Sequence, residues 1–180
     1  MQRILVIGSG GAGKSTLSRK MGRCLNIPVV HLDAIFWQPG WVAMNRDKWH
    51  LKVQEITRED SWIMDGNYAG SLGMRLSACD TVIFLNLSRW VCMYRMFRRV
   101  ACFYGRVRPD LARGCPEQLP DWDFIRWIWT FPQVQAPRIQ AELDRMSGRR
   151  SVIVLRSRAD VRRFISSLPD RNKVDPVQVS

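Results

Sequence analysis

Residues 8 to 16, Gly8-Ser9-Gly10-Gly11-Ala12-Gly13-Lys14-Ser15-Thr16, fill the pattern G-x-x-x-x-G-K-[ST] (Walker A) directly behind the apolar run Ile4-Leu5-Val6-Ile7. The chemistry such a segment performs is phosphate binding. Glycines let backbone N–H groups approach phosphate oxygens with no Cβ in the way, and the first turn of a helix offers N–H donors without intrahelical partners. Lys14 is placed to reach β- and γ-phosphates, and the Ser15 hydroxyl to ligate Mg²⁺. A glycine-rich turn with no ligand would require neither side chain at this register. Gly8 to Thr16 are therefore the expected cradle of a nucleoside triphosphate, with ATP and Mg²⁺ as cofactors.

Two carboxylates are expected beside this loop. Trp62-Ile63-Met64-Asp65 is an apolar run ending in an acid and followed by Gly66. An acid at the carboxyl end of a neighbouring parallel strand is where metal-supporting carboxylates sit, so Asp65 is the expected metal partner of Ser15. The other reading is a plain Asp-Gly turn. His31-Leu32-Asp33 closes the second apolar run in the same way, and Asp33 is expected to orient or deprotonate an acceptor hydroxyl. A solvent-facing loop acid is the alternative for Asp33. His31 and His50 read as packing or surface residues.

Arginines supply the third group. Residues 88–104 read as a helix with Arg95 and Arg99 four apart on one face and Arg98 beside them. Like charges at this spacing cost an isolated helix a few tenths of a kcal/mol per pair, and a bound anion removes that penalty. Arg106, Arg108 and Arg113 continue the run in a Gly- and Pro-edged loop. Arginines that close over a γ-phosphate neutralise the transferring group and exclude water, which makes Lys14, Asp33, Arg98 and Arg99 the catalytic candidates. A solvated basic face is the alternative. Trp37, Trp41 and Trp49 cluster after Asp33 and serve either as a stacking wall for a ligand or as a satellite core under a loop. Trp122, Phe124, Trp127, Trp129 and Phe131 read as core packing.

These residues need a scaffold. Five short apolar runs, Ile4–Ile7, Val29–Leu32, Trp62–Met64, Val82–Leu87 and Val152–Leu155, alternate with helix-length segments at about 14–25, 46–59, 88–104, 121–146 and 159–168. Near-continuous β-branched runs suit strands buried on both faces, and the alternation predicts a doubly wound α/β domain. Asn45 and Ser88 are candidate N-caps.

At 180 residues the chain suits one domain with a sizeable core. Its net charge of +12 comes from 28 basic residues, 23 of them arginine, whose planar fork suits phosphate. No apolar stretch is long enough to span a bilayer, and a cytoplasmic protein with no membrane partner is expected. Five scattered cysteines, Cys24, Cys79, Cys92, Cys102 and Cys115, show no C-x-x-C pair. They read as reduced and mostly buried, with Cys115 on a loop the least secure.

With these residues in hand, the chain resembles the adenylate-kinase-like branch of P-loop kinases, and more closely the bacterial topology modulation protein (FlaR-type) family. The likeness runs to about residue 168. It rests on Gly8–Thr16, on His31-Leu32-Asp33 with Phe36-Trp37 and Pro39-Gly40-Trp41, on Trp62 with Asp65-Gly66-Asn67-Tyr68, and on Arg95, Arg98 and Arg99 with the 106–114 continuation. The resemblance implies a three-layer P-loop NTPase fold, a five-stranded parallel sheet flanked by helices with a short arginine-rich lid. It implies one domain over 1–168 with a lid insertion at about 104–120; residues 169–180, which mix prolines and charges without apolar period, read as a flexible tail. Arg95 would flank the adenine and Arg99 the phosphates. The implied activity is Mg-dependent transfer of a γ-phosphoryl group from ATP to an unidentified small acceptor. Nucleoside-monophosphate kinases carry an acceptor-gripping arginine where this chain has Ala69, and residues 34 to 45 contain none; Arg75 is the available substitute. The alternative is a nucleotide-binding regulator that contacts DNA, with Arg145, Arg149, Arg150, Arg156, Arg158, Arg162 and Arg163 as its basic surface. No recognised nucleic-acid motif accompanies it.

Overall fold

The computed structural model describes residues 1–145 and 150–169. Each apolar run becomes a strand: β1 (Arg3–Gly8), β2 (Val29–His31), β5 (Trp62–Asp65), β6 (Thr81–Leu85) and β7 (Ser151–Leu155). They form one all-parallel sheet in the order β2-β5-β1-β6-β7. A two-stranded antiparallel ribbon, β3 (Trp37–Gln38) and β4 (Val42–Ala43), stands apart from it. The helices are α1 (Lys14–Leu25), α2 (Leu32–Phe36), α3 (Arg46–Thr57), α4 (Ala69–Ala78), α5 (Arg89–Phe103), α6 (Trp122–Arg145) and α7 (Arg158–Ser166).

Strand side chains alternate between the two faces of the sheet, so β1 feeds two cores. Ile4 and Val6 join Leu17 and Met21 of α1 and Cys92 and Met96 of α5 on one face. Leu5 and Ile7 join Trp49 and Val53 of α3, Leu76 of α4 and Phe131 of α6 on the other. Helices on both faces of a parallel sheet make three layers, as the alternating sequence pattern requires. The central strand β1 ends at the phosphate loop, and β5 and β6 flank it in register, Val6 opposite both Asp65 and Ile83.

The boundaries depart from expectation in three places. β2 stops at His31, and Leu32 opens α2, so Asp33 lies in the first turn of a short helix and not on the strand. β6 ends at Leu85, two residues before the expected Leu87. The helix α4 carries Gly70 and Gly73, poor helix formers, and no helical pattern marks it in the sequence. The parallel step from β5 to β6 across β1 demands a crossover connection, and α4 supplies it. Asn45 caps α3 through its side chain, accepting from the N–H groups of Asp47 and Lys48. Ser88 stands at the N-cap of α5 but makes no side-chain cap bond.

Candidate functional site

The phosphate loop folds as its glycines dictate. At Gly8 φ is 148°, and a Cβ would meet the Leu85 carbonyl oxygen at 2.5 Å; at Gly11 φ is 72°, and a Cβ would meet the Cys92 carbonyl oxygen at 2.2 Å. Side chains at either position would push the loop off β6 and α5. The helix α1 starts from Gly13 in left-handed conformation, with no side chain capping it. Its free N–H groups and positive dipole end therefore face the cleft, where an anion satisfies them. Lys14 Nζ donates to the carbonyl oxygens of Gly8 and Ser9, both at 3.0 Å, and so arches back over the loop. Burial holds the Lys14 ammonium below its ordinary pKa, against the opposing pull of Asp33 and Asp65.

The loop opens into a cavity of ≈ 1110 Å³ bounded by Gly10 to Thr16, Asp33, Asp65, Arg95, Arg98 and Arg99 among others. All the catalytic candidates thus reach one space. Gly8 and Ser9 lie beneath it, buried. Gly8 is clasped by Asn67, whose Oδ1 accepts from the Gly8 N–H at 3.1 Å while its Nδ2 donates to the Gly8 carbonyl at 2.8 Å. Asn67 therefore fixes the hinge between β1 and the loop. The sequence contains it only as part of the Asp-Gly-Asn-Tyr segment, with no signal for this task.

Asp65 is 4% exposed, and His31 Nδ1 lies 2.9 and 3.1 Å from its two carboxylate oxygens. His31 is thus the partner of Asp65 and not a bystander in the core. The register sets this pairing, since His31 stands opposite Asp65 across β2 and β5. Burial lowers the His31 pKa, but the Asp65 hydrogen bond and charge outweigh it and leave it raised. Asp33 Oδ1 accepts from the Tyr68 hydroxyl at 2.7 Å. Burial first, then the Asp33 charge, drives the Tyr68 pKa far upward, so this hydroxyl stays a donor.

Arg75 lies elsewhere than its expected place at an acceptor phosphate. It is fully buried and spends every guanidinium nitrogen inside the protein. Nη1 donates to the Gly66 carbonyl at 2.8 Å, Nη2 to the carbonyls of Asn67 and Tyr68, and Nε to Ser71 Oγ at 3.3 Å. With no acid beside it, burial pushes its pKa down to about 10. Three successive carbonyls turned toward one guanidinium hold the loop that carries Asn67 and Tyr68.

The tryptophans after Asp33 divide between a packed position and the cavity wall. Trp49 is buried against Phe36 and Tyr68, with ring centroids 5.1 and 4.9 Å away. Trp37 and Trp41, 5.4 Å apart, line the cavity together with Tyr68. The β3–β4 ribbon then meets the segment after α5. Gly40 N–H donates to the Gly114 carbonyl at 2.8 Å, Trp41 Nε1 to the Pro116 carbonyl at 2.9 Å, and Cys115 Sγ to the Gln38 carbonyl at 3.1 Å. Cys115 is accordingly buried, as expected of the cysteines in general, while Cys102 is exposed.

The arginines divide by task. Arg95 Nη1 donates to the Ala12 carbonyl at 2.9 Å, so it braces the loop from α5. Arg99 Nε donates to Glu117 at 2.8 Å, and Glu117, 4% exposed, also pairs with Arg108 at 2.6 Å. Arg108 pairs in turn with Asp110 at 2.9 Å. Burial opposes ionisation of Asp110, but Arg108 and a hydrogen bond with Ser15 hold its carboxyl below the usual range. Nothing in the sequence marks Glu117 or Asp110 for these pairings. Arg98 is exposed at the rim of the cavity. Trp122 is 74% exposed and Trp129 38%, so the aromatic stretch of α6 is not all core; Phe131 alone of its rings is fully buried.

Ser15 hydrogen-bonds Asp110 and shares the cavity wall with Asp33 and Asp65, oxygen donors of the kind that suit a hard cation such as Mg²⁺. Among the described residues no cluster of three or more His, Cys, Asp or Glu side chains stands ready to hold a metal on its own.

Solved structures share this architecture. Shikimate kinase from Bacteroides thetaiotaomicron aligns over 92% of this chain and 94% of its own, with TM-score 0.53 and 17% identity. Shikimate kinase from Acinetobacter baumannii, in complex with shikimate, covers 92% and 89% with TM-score 0.53 and 15% identity. The Aquifex aeolicus shikimate kinase covers 91% and 92% with TM-score 0.51 and 14% identity. The fold is that of a P-loop kinase. No protein-family model and no curated protein sequence matches the chain. Among the described residues no helix is long and apolar enough to cross a membrane.

Proposed function

We propose that this chain is an ATP-dependent phosphotransferase acting on a hydroxyl of a small acceptor. The observation that carries the reading is the shared cavity: a phosphate loop with its lysine on one side, and the Asp33–Tyr68 pair 2.7 Å apart on the other. The backbone amides of Gly10 to Ser15 bind the triphosphate, and Lys14 leaves its carbonyl partners to meet the β- and γ-oxygens. Asp33 accepts the acceptor hydroxyl's proton, and Tyr68 holds that carboxylate in place. Mg²⁺ bound at the Ser15 hydroxyl, with Asp65 in support, would offset charge on the β- and γ-oxygens. Arg98 and Arg99 are the candidates to stabilise the transferred group, Arg99 by exchanging Glu117 for phosphate. The segment 104–120 serves as the lid of a single domain over 1–168. The expected tail lies outside the described residues beyond position 169.

An acceptor without a phosphate of its own is favoured. Position 69 is alanine, and Arg75 is consumed by loop carbonyls. The topology modulation protein type is the family we favour. The ribbon that carries Trp37 and Trp41, and the Asp65-Gly66-Asn67-Tyr68 segment, both shape the cavity, which supports that choice. The regulatory reading loses weight because four of its seven arginines have other work. Arg150 donates to the carbonyls of Cys79 and Ser77, Arg163 pairs with Asp160, and Arg158 and Arg162 line the cavity. Arg149 lies outside the described residues.

The test is ADP release by wild type and Lys14→Ala across a panel of hydroxylated small molecules, with Mg²⁺ present. Acceptor-dependent turnover is expected in wild type, with a loss of roughly 10²–10³ in kcat in the variant, as for removal of one preorganised charge-stabilising donor. Circular dichroism should be unchanged, because Lys14 lies at the cavity wall and its hydrogen bonds go to two loop carbonyls rather than to the core. A folded variant as active as wild type would overturn the assignment.

A further inference from the structure

On α5 the side of the helix away from the cavity carries Trp90, Tyr94, Phe97 and Ala101, spaced four, three and four residues apart. This is the spacing of a coiled-coil seam, and it places all four on one stripe. The stripe is not covered: Trp90 is 68% exposed, Tyr94 65% and Phe97 49%. It continues onto α6, where the Trp129 ring meets Trp90 edge-on at 4.7 Å, and Trp122 is also exposed.

We infer that this aromatic face is the interface of a two-fold homodimer, α5 of one copy lying antiparallel on α5 of the other. Three observations select a second copy as the occupant. The first is charge. Of the four arginines of α5, Arg95 donates to the Ala12 carbonyl and Arg99 to Glu117, both toward the cavity, Arg89 lies over the Trp129 ring at 5.1 Å, and Arg98 is exposed at the cavity rim. The four stripe positions on α5 carry no charge and call for neither an acidic nor a basic partner, and the exposed Arg98 and Arg126 that flank the rings are screened beyond about 8 Å at physiological salt.

The second is area. At 150–250 Å² per ring, the five exposed rings leave about 600 Å² uncovered, at the top of the range for the largest apolar patch on a monomer. A standard interface needs about 800 Å² per partner, which the surrounding side chains of α5 and α6 complete. The third is composition and shape. Large aromatic side chains with no Lys or Glu on the stripe are the make-up of an interface core. A helix seam with regular four-three spacing fits its own copy, because a two-fold axis brings the same patch to both sides.

Because the seam faces away from the cavity, pairing leaves both sites open. The experiment is sedimentation velocity on the full chain from about 1 to 100 μM at 0.15 M salt, with molar mass checked by light scattering. Wild type should sediment as a dimer of two 20.9 kDa chains at the upper concentrations. Tyr94→Glu combined with Phe97→Glu should weaken association at least about 100-fold, as expected for the centre of an interface. Leu51→Glu, at an exposed apolar site on α3, should leave it unchanged. A wild type that stays monomeric at 100 μM overturns the inference. So does a dimer that survives the double substitution, or one that Leu51→Glu dissociates equally. Should the glutamates prevent folding, Tyr94→Ser with Phe97→Ser asks the same question, and the wild-type dilution series stands independently of either.

Discussion

Replacing Arg75 by leucine probes the buried strut behind the site. The guanidinium donates to three consecutive carbonyls, Gly66, Asn67 and Tyr68, and to Ser71 Oγ. Hydrogen bonds from a charged donor are worth about 1.5–3 kcal/mol each, so the three carbonyl contacts together contribute roughly 6 kcal/mol. Against this stands the desolvation of a cation with no acid beside it, which costs several kcal/mol and is recovered in the leucine variant. Orphaned carbonyls in a loop that already holds Tyr68 at φ 29° have little freedom to find water. The balance is a net loss of about 3 kcal/mol on Arg75→Leu, or about 6–12 °C in melting temperature for a chain of this size. Differential scanning calorimetry measures it, with ADP release followed below the transition. Turnover should fall along with stability, because the same loop positions Asn67 under Gly8 and Tyr68 against Asp33. A leucine variant that melts at or above the wild-type temperature, with only the acceptor KM raised, would refute the reasoning. Arg75 would then be a ligand-binding group after all.

Two further outcomes follow from the same geometry. Asn67→Asp keeps the shape but removes the donor to the Gly8 carbonyl and sets a negative charge under the phosphate loop. ATP affinity should fall about 10-fold or more, read by isothermal titration, while the Arg75-held loop and the circular dichroism spectrum persist. His31 carries a raised pKa in the folded state, above its ordinary value of 6.5, so its pairing with Asp65 adds stability in full below that value. The contribution is lost as pH climbs through the folded-state pKa. Urea midpoints from about pH 5.5 to 9 should show wild type losing stability relative to His31→Asn as pH rises, and parallel curves would exclude the pairing.

How much was legible in the residues alone depends on whether the deciding force was local. The phosphate loop was readable because its requirements are short-range: glycines where φ is positive or a Cβ would strike Leu85 or Cys92, then lysine and serine at a helix start. The five strands were readable because burial on both faces of a parallel sheet demands unbroken apolar runs. The helix α4 was not, since Gly70 and Gly73 hide any helical preference and only the β5-to-β6 crossover forces it.

Partnerships across the chain were decided by tertiary structure. His31 meets Asp65 through strand register, Asn67 reaches Gly8 fifty-nine residues away, and Glu117 gathers Arg99 and Arg108 from two segments. Arg75 shows the division most plainly. In the sequence it was only the available substitute for a missing acceptor arginine, and the turn of three carbonyls toward α4 is what captures it. Local sterics and burial patterns are written residue by residue along the chain. Which polar group finds which partner depends on where distant segments come to rest, because a buried hydrogen bond is won by the neighbour that packing delivers.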